Sequence, residues 1–354
     1  MDYYNSYYIS ELKTLASIVL PWYKFQDKSI LISGASGMIG SFLVDVLMEM
    51  NDKDNLNCTI FALGRDGDRL KKRFTKHLGD SRLFFLQYDI QRPLSYENVG
   101  TVNYVLHLAS NTHPLLYSTD PIGTILTNVI GLKNMLDFAV DHHATRFAFA
   151  SSNEMYGENR GDVELFDEKY CGYIDCNTLR AGYPESKRCG EALCQAYKAQ
   201  MGLDVVIPRL TRTYGPTMSL SDTKAVSQFI RKGVAGEDIV LKSDGTQYFS
   251  FTYVADAVSG LLTVLLNGES GEAYNVADES GDITLMDFAT TIADICGTKV
   301  VFEIPDAVEA AGYSKATKAR LDGSKLKALG WKPQYEIRTG IERTISILKD
   351  LQFK

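Results

Sequence analysis

Short runs of β-branched and aromatic residues recur along the chain at 29–32, 58–63, 83–88, 104–109, 146–151 and 204–210. Most are separated by stretches whose apolar residues return every three or four positions, the period of a helix with one buried face. Strands alternating with helices predict an α/β chain built on a parallel, doubly wound sheet. Two intervening helices are well marked: Ile39, Phe42, Leu43, Val46, Leu47 and Met50 share one face, as do Ile122, Ile125, Leu126, Val129 and Leu136. Each face is expected to pack on the sheet or on a partner helix. Beyond about residue 210 the rhythm turns irregular, with Gly-, Thr-, Ser- and Asp-rich loops and isolated strands at 274–276 and 299–304. No flexible linker divides the halves, so they are expected to share a cleft.

With 354 residues, 45% of them hydrophobic, the chain has ample material for a core. Residues 1–27 form an extension that alternates aromatic and polar side chains and is expected to be a packing arm. Its longest apolar run, 16–21, is short for a signal peptide or a spanning helix. A net charge of −7 argues against nucleic acid or a membrane surface as partner and favours a small molecule. The six cysteines show neither CxxC spacing nor a histidine in zinc-ligand register, so no metal site is expected. Free thiols in a reducing cytoplasm are the expectation.

Immediately after the first strand stands Gly34-Ala35-Ser36-Gly37-Met38-Ile39-Gly40. Glycines between an apolar strand and an amphipathic helix let the backbone approach a pyrophosphate at the helix N-terminus, the arrangement of a Rossmann dinucleotide site. The second strand ends in Arg65 where an acidic residue would accept from a ribose diol. Arg65 either holds a 2′-phosphate or is a solvated cation paired with Asp66 or Asp68, which tilts the cofactor slightly toward NADP over NAD. Asp89 and Ile90, closing the third strand, stand where the adenine edge would lie, although Asp89 also suits a cap. The domains read as a Rossmann unit at 28–209, with 249–263 returning to it, and a substrate-binding region at 210–248 and 264–354.

Tyr183 and Lys187, four residues apart, fall on one face of a helix whose first turn Pro184 favours. A phenol needs help to act as a base near neutrality, and an adjacent ammonium would stabilise the phenolate. Ser152, at the end of a strand, can reach the same substrate hydroxyl from the sheet edge.

Glycine loop, serine strand end and Tyr/Lys helix together resemble the extended short-chain dehydrogenase/reductases, the nucleotide-sugar epimerase and dehydratase family, over about residues 28 to 335. The segments His107-Leu108-Ala109-Ser110, Thr127-Asn128 and Asn134-Met135-Leu136, with Tyr117, Arg180, Glu185, Arg188 and Glu191, follow the register of its UDP-glucuronate decarboxylase branch. The resemblance implies that Leu108, Ala109, Ser110 and Asn128 lie beside the cofactor and that the substrate is a nucleoside diphosphate sugar. Tyr183 would take the proton of its C4 hydroxyl while Lys187 holds the nicotinamide ribose and lowers the tyrosine pKa. The 4-keto group then opens epimerisation, dehydration or decarboxylation. Glu154 matches the glutamate of the dehydratases and decarboxylases. Asn153, beside the substrate, replaces the proton-donating aspartate of one dehydratase group. The resemblance also implies a homodimer, formed through the helices at about 121–142 and 183–201.

Several matched positions depart from the branch. Arg212 stands for asparagine, Thr217 for arginine, and Phe249 for an arginine that meets the diphosphate. Arg212 and Arg320 are the candidates to replace that charge, Arg320 being equally readable as a solvated arginine before a helix. Tyr253 and Asp256 read as a core aromatic and a helix cap, and His113 and Tyr117 as loop residues bordering the sugar. A 4-epimerase, an NADPH-dependent 4-ketoreductase and a non-catalytic dinucleotide-binding protein remain as alternatives.

Overall fold

The computed structural model describes residues 4–94, 99–112, 114–219, 221–303 and 317–352. The predicted strands form β1 (Ser29–Ser33), β2 (Thr59–Gly64), β3 (Leu83–Gln87), β4 (Tyr104–His107), β5 (Arg146–Phe149), the two-residue β6 (Ser151–Ser152) and β7 (Val205–Leu210). They pair in parallel in the order β7-β5-β4-β1-β2-β3, with β6 beside β7. Side chains alternate across the pleat. Ile30, Ile32, Ile60, Leu106 and Val206 enter one core, and Leu31, Leu63, Val105, Phe147 and Val205 enter a second on the opposite face.

The helices α1 (Ser6–Leu15), α2 (Met38–Asp54), α3 (Gly67–Arg73), α4 (Pro114–Thr119), α5 (Pro121–Asp141) and α6 (Gly182–Met201) precede or follow these strands. On α2 the predicted face holds: Phe42, Leu43, Val46, Leu47 and Met50 are all buried. On α5 only Leu136 of that face is buried within the chain. Ile122, Ile125 and Leu126 are 71, 41 and 40% exposed, while the sheet is covered by Gly131, Leu132, Met135 and Leu136. Both sides of α5 are apolar, and periodicity alone does not say which one meets the sheet.

At Thr211 the chain leaves the main sheet and enters β8 (Arg212–Tyr214). The second lobe adds α7 (Ala225–Val234), β9 (Ile239–Leu241) and β10 (Tyr248–Tyr253), after which α8 (Val254–Asn267) packs back on α2 and β7 of the first. After β11 (Ala273–Val276) come β12 (Asp282–Thr284), α9 (Leu285–Cys296), β13 (Val300–Phe302), β14 (Lys318–Ala319) and a C-terminal helix, Ile337–Gln352. β10 pairs with β8, β12 and β14, and β9 with β13. β11, in the segment read from sequence as substrate-binding, instead extends the main sheet beside β7, where Tyr274 and Val276 join the core.

The N-terminal extension is a packing arm in helical form. Asn5 caps α1 by accepting from the Tyr8 N–H at 2.9 Å. Tyr4 and Tyr8 each donate to the buried Asp45 of α2 at 2.6 Å, and Arg73 and His77 approach the same carboxylate at 2.6 and 3.3 Å. Burial opposes the charge of Asp45, but Arg73 and these hydrogen bonds hold its carboxyl below the usual range. Glu11 pairs with Arg343 of the C-terminal helix, so the arm ties α2 to the far end of the chain. Among the described residues no helix is long and apolar enough to cross a membrane.

Candidate active site

A cleft of about 1070 Å³ runs between the main sheet and the second lobe. Into its wall the fold brings Gly34, Ser36, Gly37, Met38, Ile39, Gly40, Arg65, Asp89, Ile90, Leu108, Ala109 and Ser110, together with Ser152, Asn153, Glu154, Tyr183, Lys187 and Arg212. Two predicted site residues, Asn128 and Arg320, do not line it.

The glycine turn is built by contacts that no side chain could share. Gly34 has φ +71°, and a Cβ there would lie 2.8 Å from the Ala109 nitrogen. A Cβ on Gly40 would run into the Gly34 carbonyl. The first helical acceptor of α2 is Gly37, which receives the Ser41 N–H at 2.9 Å, so the N–H groups of Met38, Ile39 and Gly40 have no intrahelical acceptor where they line the cleft. This cradle fits a dinucleotide pyrophosphate.

Ser33 is a support that the motif reading missed. Its Oγ accepts the Leu108 and Ala109 N–H groups at 3.2 Å each and lies 2.8 Å from His107 Nδ1. With both acceptor positions taken, its own proton points to Nδ1. Burial and the nearby Lys187 push His107 down to about 3, so the imidazole is neutral. Arg65 is exposed and makes no ion pair among the described residues; Asp66 instead caps α3 by accepting the Arg69 N–H at 2.9 Å. Arg69 lines the cleft beside Arg65. Asp89 accepts from the Gln91 N–H at 3.0 Å, closing a turn and capping no helix among the described residues, and lines the cleft.

Asn128 is buried behind the wall. It accepts from Ser110 Oγ at 2.6 Å and donates to Ser186 Oγ at 2.8 Å, and Ser186 donates to the Tyr183 carbonyl at 2.7 Å. Its place is therefore to fix Ser110 against the first turn of α6, not to touch a ligand.

Tyr183 is buried and lines the cleft with Ser152 and Ser110. Burial and then the Glu154 charge push it up to about 12, opposed by Ser152, Arg180 and Ser110. Lys187 is buried one helical turn beyond Tyr183. Its ammonium donates to the Ala150 carbonyl at 2.8 Å and lies 5.8 Å from the Tyr183 ring centroid. Burial brings Lys187 down to about 8.

Glu154 lines the cleft two residues beyond Ser152 and pairs with Arg180. The Arg180 guanidinium lies 4.6 Å from the ring centroid of Tyr117, and Tyr117 stacks on Tyr183. Tyr117 sits on α4 and not in a loop; His113 lies outside the described residues. Arg212 faces Phe249 at 3.5 Å. Arg320, just past β14, turns instead to Glu164 at 2.7 Å and stacks on Tyr248 at 4.7 Å, so it is not the replacement cation. Further cleft cations come from Lys224, Arg231 and Lys242, in segments that carry no motif.

The arrangement can thus seat a dinucleotide against β1 and α2 and take a proton from a hydroxyl held between Ser152 and Tyr183. The profile of the NAD dependent epimerase/dehydratase family matches residues 30–277. UDP-glucuronic acid decarboxylase 5 of Arabidopsis thaliana is 34% identical over 88% of this chain and 86% of its own length. UDP-glucuronic acid decarboxylase 1 of Xenopus tropicalis is 34% identical over 90% of this chain and 71% of its own. Among solved structures, the dTDP-glucose 4,6-dehydratase DesIV of Streptomyces venezuelae, with NAD bound, superposes with a TM-score of 0.78 at 25% identity, covering 92% of this chain and 98% of that one. A cleft built on the Gly34 turn and a paired Tyr183 and Lys187, on a fold with these relatives, assigns the chain to the NAD dependent epimerase/dehydratase family.

Proposed function

We propose that the protein converts a nucleoside diphosphate sugar through a 4-keto intermediate, by decarboxylation or dehydration, with UDP-glucuronate as the leading substrate. The observation that carries this reading is the meeting of Ser152, Tyr183 and Glu154 at one point of the cleft, beside the dinucleotide cradle. A bound nicotinamide dinucleotide supplies an acceptor that takes a hydride and can return it. Tyr183, as phenolate, accepts the C4 hydroxyl proton; Ser152 orients that hydroxyl; Lys187 holds the nicotinamide ribose. The carbon next to the new ketone becomes acidic. A carboxylate on it leaves as CO₂, or a hydroxyl one carbon further leaves as water, with Glu154 placed to move the proton.

NAD is the family's cofactor. Arg65 and Arg69, both on the cleft wall, support a preference for the 2′-phosphate of NADP, which titrating the protein with each dinucleotide tests. The exposed apolar face of α5 supports a homodimer, and sedimentation showing only monomer at micromolar concentration would remove that reading. Six free thiols suit the cytoplasm as the compartment.

The experiment is a panel of UDP-, dTDP-, GDP- and CDP-sugars, including UDP-glucuronate, followed by mass spectrometry with cofactor absorbance in parallel. A product lighter by about 44 or about 18 mass units without net cofactor change supports decarboxylation or dehydration. An isomer of unchanged mass points to epimerisation, and net cofactor consumption to a ketoreductase.

A further inference from the structure

The cleft carries a positive charge that proton transfer at Tyr183 does not use. Arg212 opens β8, lines the cleft and rests on Phe249, its guanidinium carbon 3.5 Å from the ring centroid. Its Nη1 is fully enclosed and has no hydrogen-bond partner among the described residues. The carboxylate whose charge acts on it, Glu154, is already paired with Arg180. Two guanidinium groups therefore face one carboxylate. Burial, with repulsion from Arg180, brings Arg212 down to about 10, which leaves it cationic at neutral pH. A desolvated guanidinium on an aromatic face, with an N–H unsatisfied, is costly until an anion completes it.

Resting on the nucleotide-sugar reading, we propose that Arg212 receives an anionic oxygen group of the substrate at the catalytic end of the cleft, with Phe249 as its platform. Glu154 and Arg180 both act on the charge of Tyr183, which puts Arg212 at the sugar and not at the adenosine end. The group is either a carboxylate on the sugar or the phosphate next to it. Both offer oxygens that a guanidinium can bind.

The test measures binding to cofactor-loaded protein in a Tyr183→Phe background, which prevents turnover, using UDP-glucuronate and the UDP-, dTDP-, GDP- and CDP- forms of glucose. Adding Arg212→Met is expected to weaken the bound sugar nucleotide at least tenfold while dinucleotide binding is retained. Loss confined to UDP-glucuronate identifies the sugar carboxylate, and equal loss for the glucose form identifies the phosphate. Adding Phe249→Arg to Arg212→Met returns a cation to the same spot and is expected to restore part of the affinity, which a purely structural role would not give. Should Arg212→Met lose dinucleotide binding through misfolding, Arg212→Gln takes its place. Unchanged affinity in the variant overturns the role of Arg212 alone. A parent protein that binds none of the probes overturns the nucleotide-sugar reading, and this inference with it.

Discussion

Tyr117 and Tyr183 lie face to face, their ring centroids 4.8 Å apart and their planes 27° apart. The stack closes the Tyr183 phenol off on one side and is itself braced by Arg180, which Glu154 holds in turn. Removing the ring should let Tyr183 leave its place beside Ser152 and Ser110. Tyr117→Ala is expected to lower kcat by about tenfold or more, within the range that misplacing a general base costs. Tyr117→Phe, which keeps the stack, should retain the larger part of kcat in the same steady-state assay.

The charges around Tyr183 set the pH dependence. In the proposed mechanism the phenolate is the working form, so the rate rises with pH through the tyrosine pKa. Glu154 raises that pKa and Arg180 lowers it. An Arg180→Met variant should therefore move the rising limb of the kcat/KM profile to higher pH. Glu154→Gln should move it to lower pH while reducing the plateau, because in the proposed mechanism Glu154 also serves the later proton transfer. Limbs moving in the opposite senses would refute the electrostatic account of the site.

Lys187 is held in place against its own solvation. Burial lowers its pKa from about 10.5 in the unfolded chain to about 8. Between those values the unfolded chain binds more protons than the folded one, so this residue makes stability rise with pH, and its cost is fully present below pH 8. Lys187→Met should stabilise the protein at pH 7 by about 1–3 kcal/mol, after allowing for the lost bond to Ala150. The gain should shrink as pH climbs from 8 toward 10.5 in thermal melts, while catalysis is lost at every pH.

The N-terminal arm makes a separate prediction. Asp45→Asn removes the charge opposite the buried Arg73 and should cost about 3 kcal/mol in denaturant unfolding, the scale for breaking a buried pair. Because the Asp45 carboxyl is held below its usual range, its contribution is present at neutral pH and lost as pH falls through the folded pKa. Dinucleotide affinity in the folded variant should not change.

The features readable from the sequence were those set by neighbours along the chain. β1 and the Gly34 turn follow from an apolar run meeting glycines, and Lys187 shares a helix face with Tyr183 through simple spacing. What stayed hidden depends on which elements meet in space. Asn128 fits the cofactor register, yet its short side chain is consumed by Ser110 and Ser186 behind the wall. Arg320 and Arg212 looked like equivalent candidates. Only the pairing of β10 with β8 and β14 shows that one rests on Phe249 in the cleft while the other turns out to Glu164. The two apolar sides of α5 likewise could not be ranked until the sheet chose one.

In the proposed reaction a hydride leaves C4 and returns, with Tyr183 as base. The most direct measurement feeds the protein UDP-glucuronate deuterated at C4 and follows product mass and cofactor absorbance over time. The account predicts a product lighter by about 44 mass units that keeps its deuterium, no net accumulation of reduced cofactor, and at least a hundredfold slower conversion by Tyr183→Phe. Conversion at an undiminished rate by Tyr183→Phe, or a product formed with its C4 deuterium exchanged for solvent hydrogen, would contradict it.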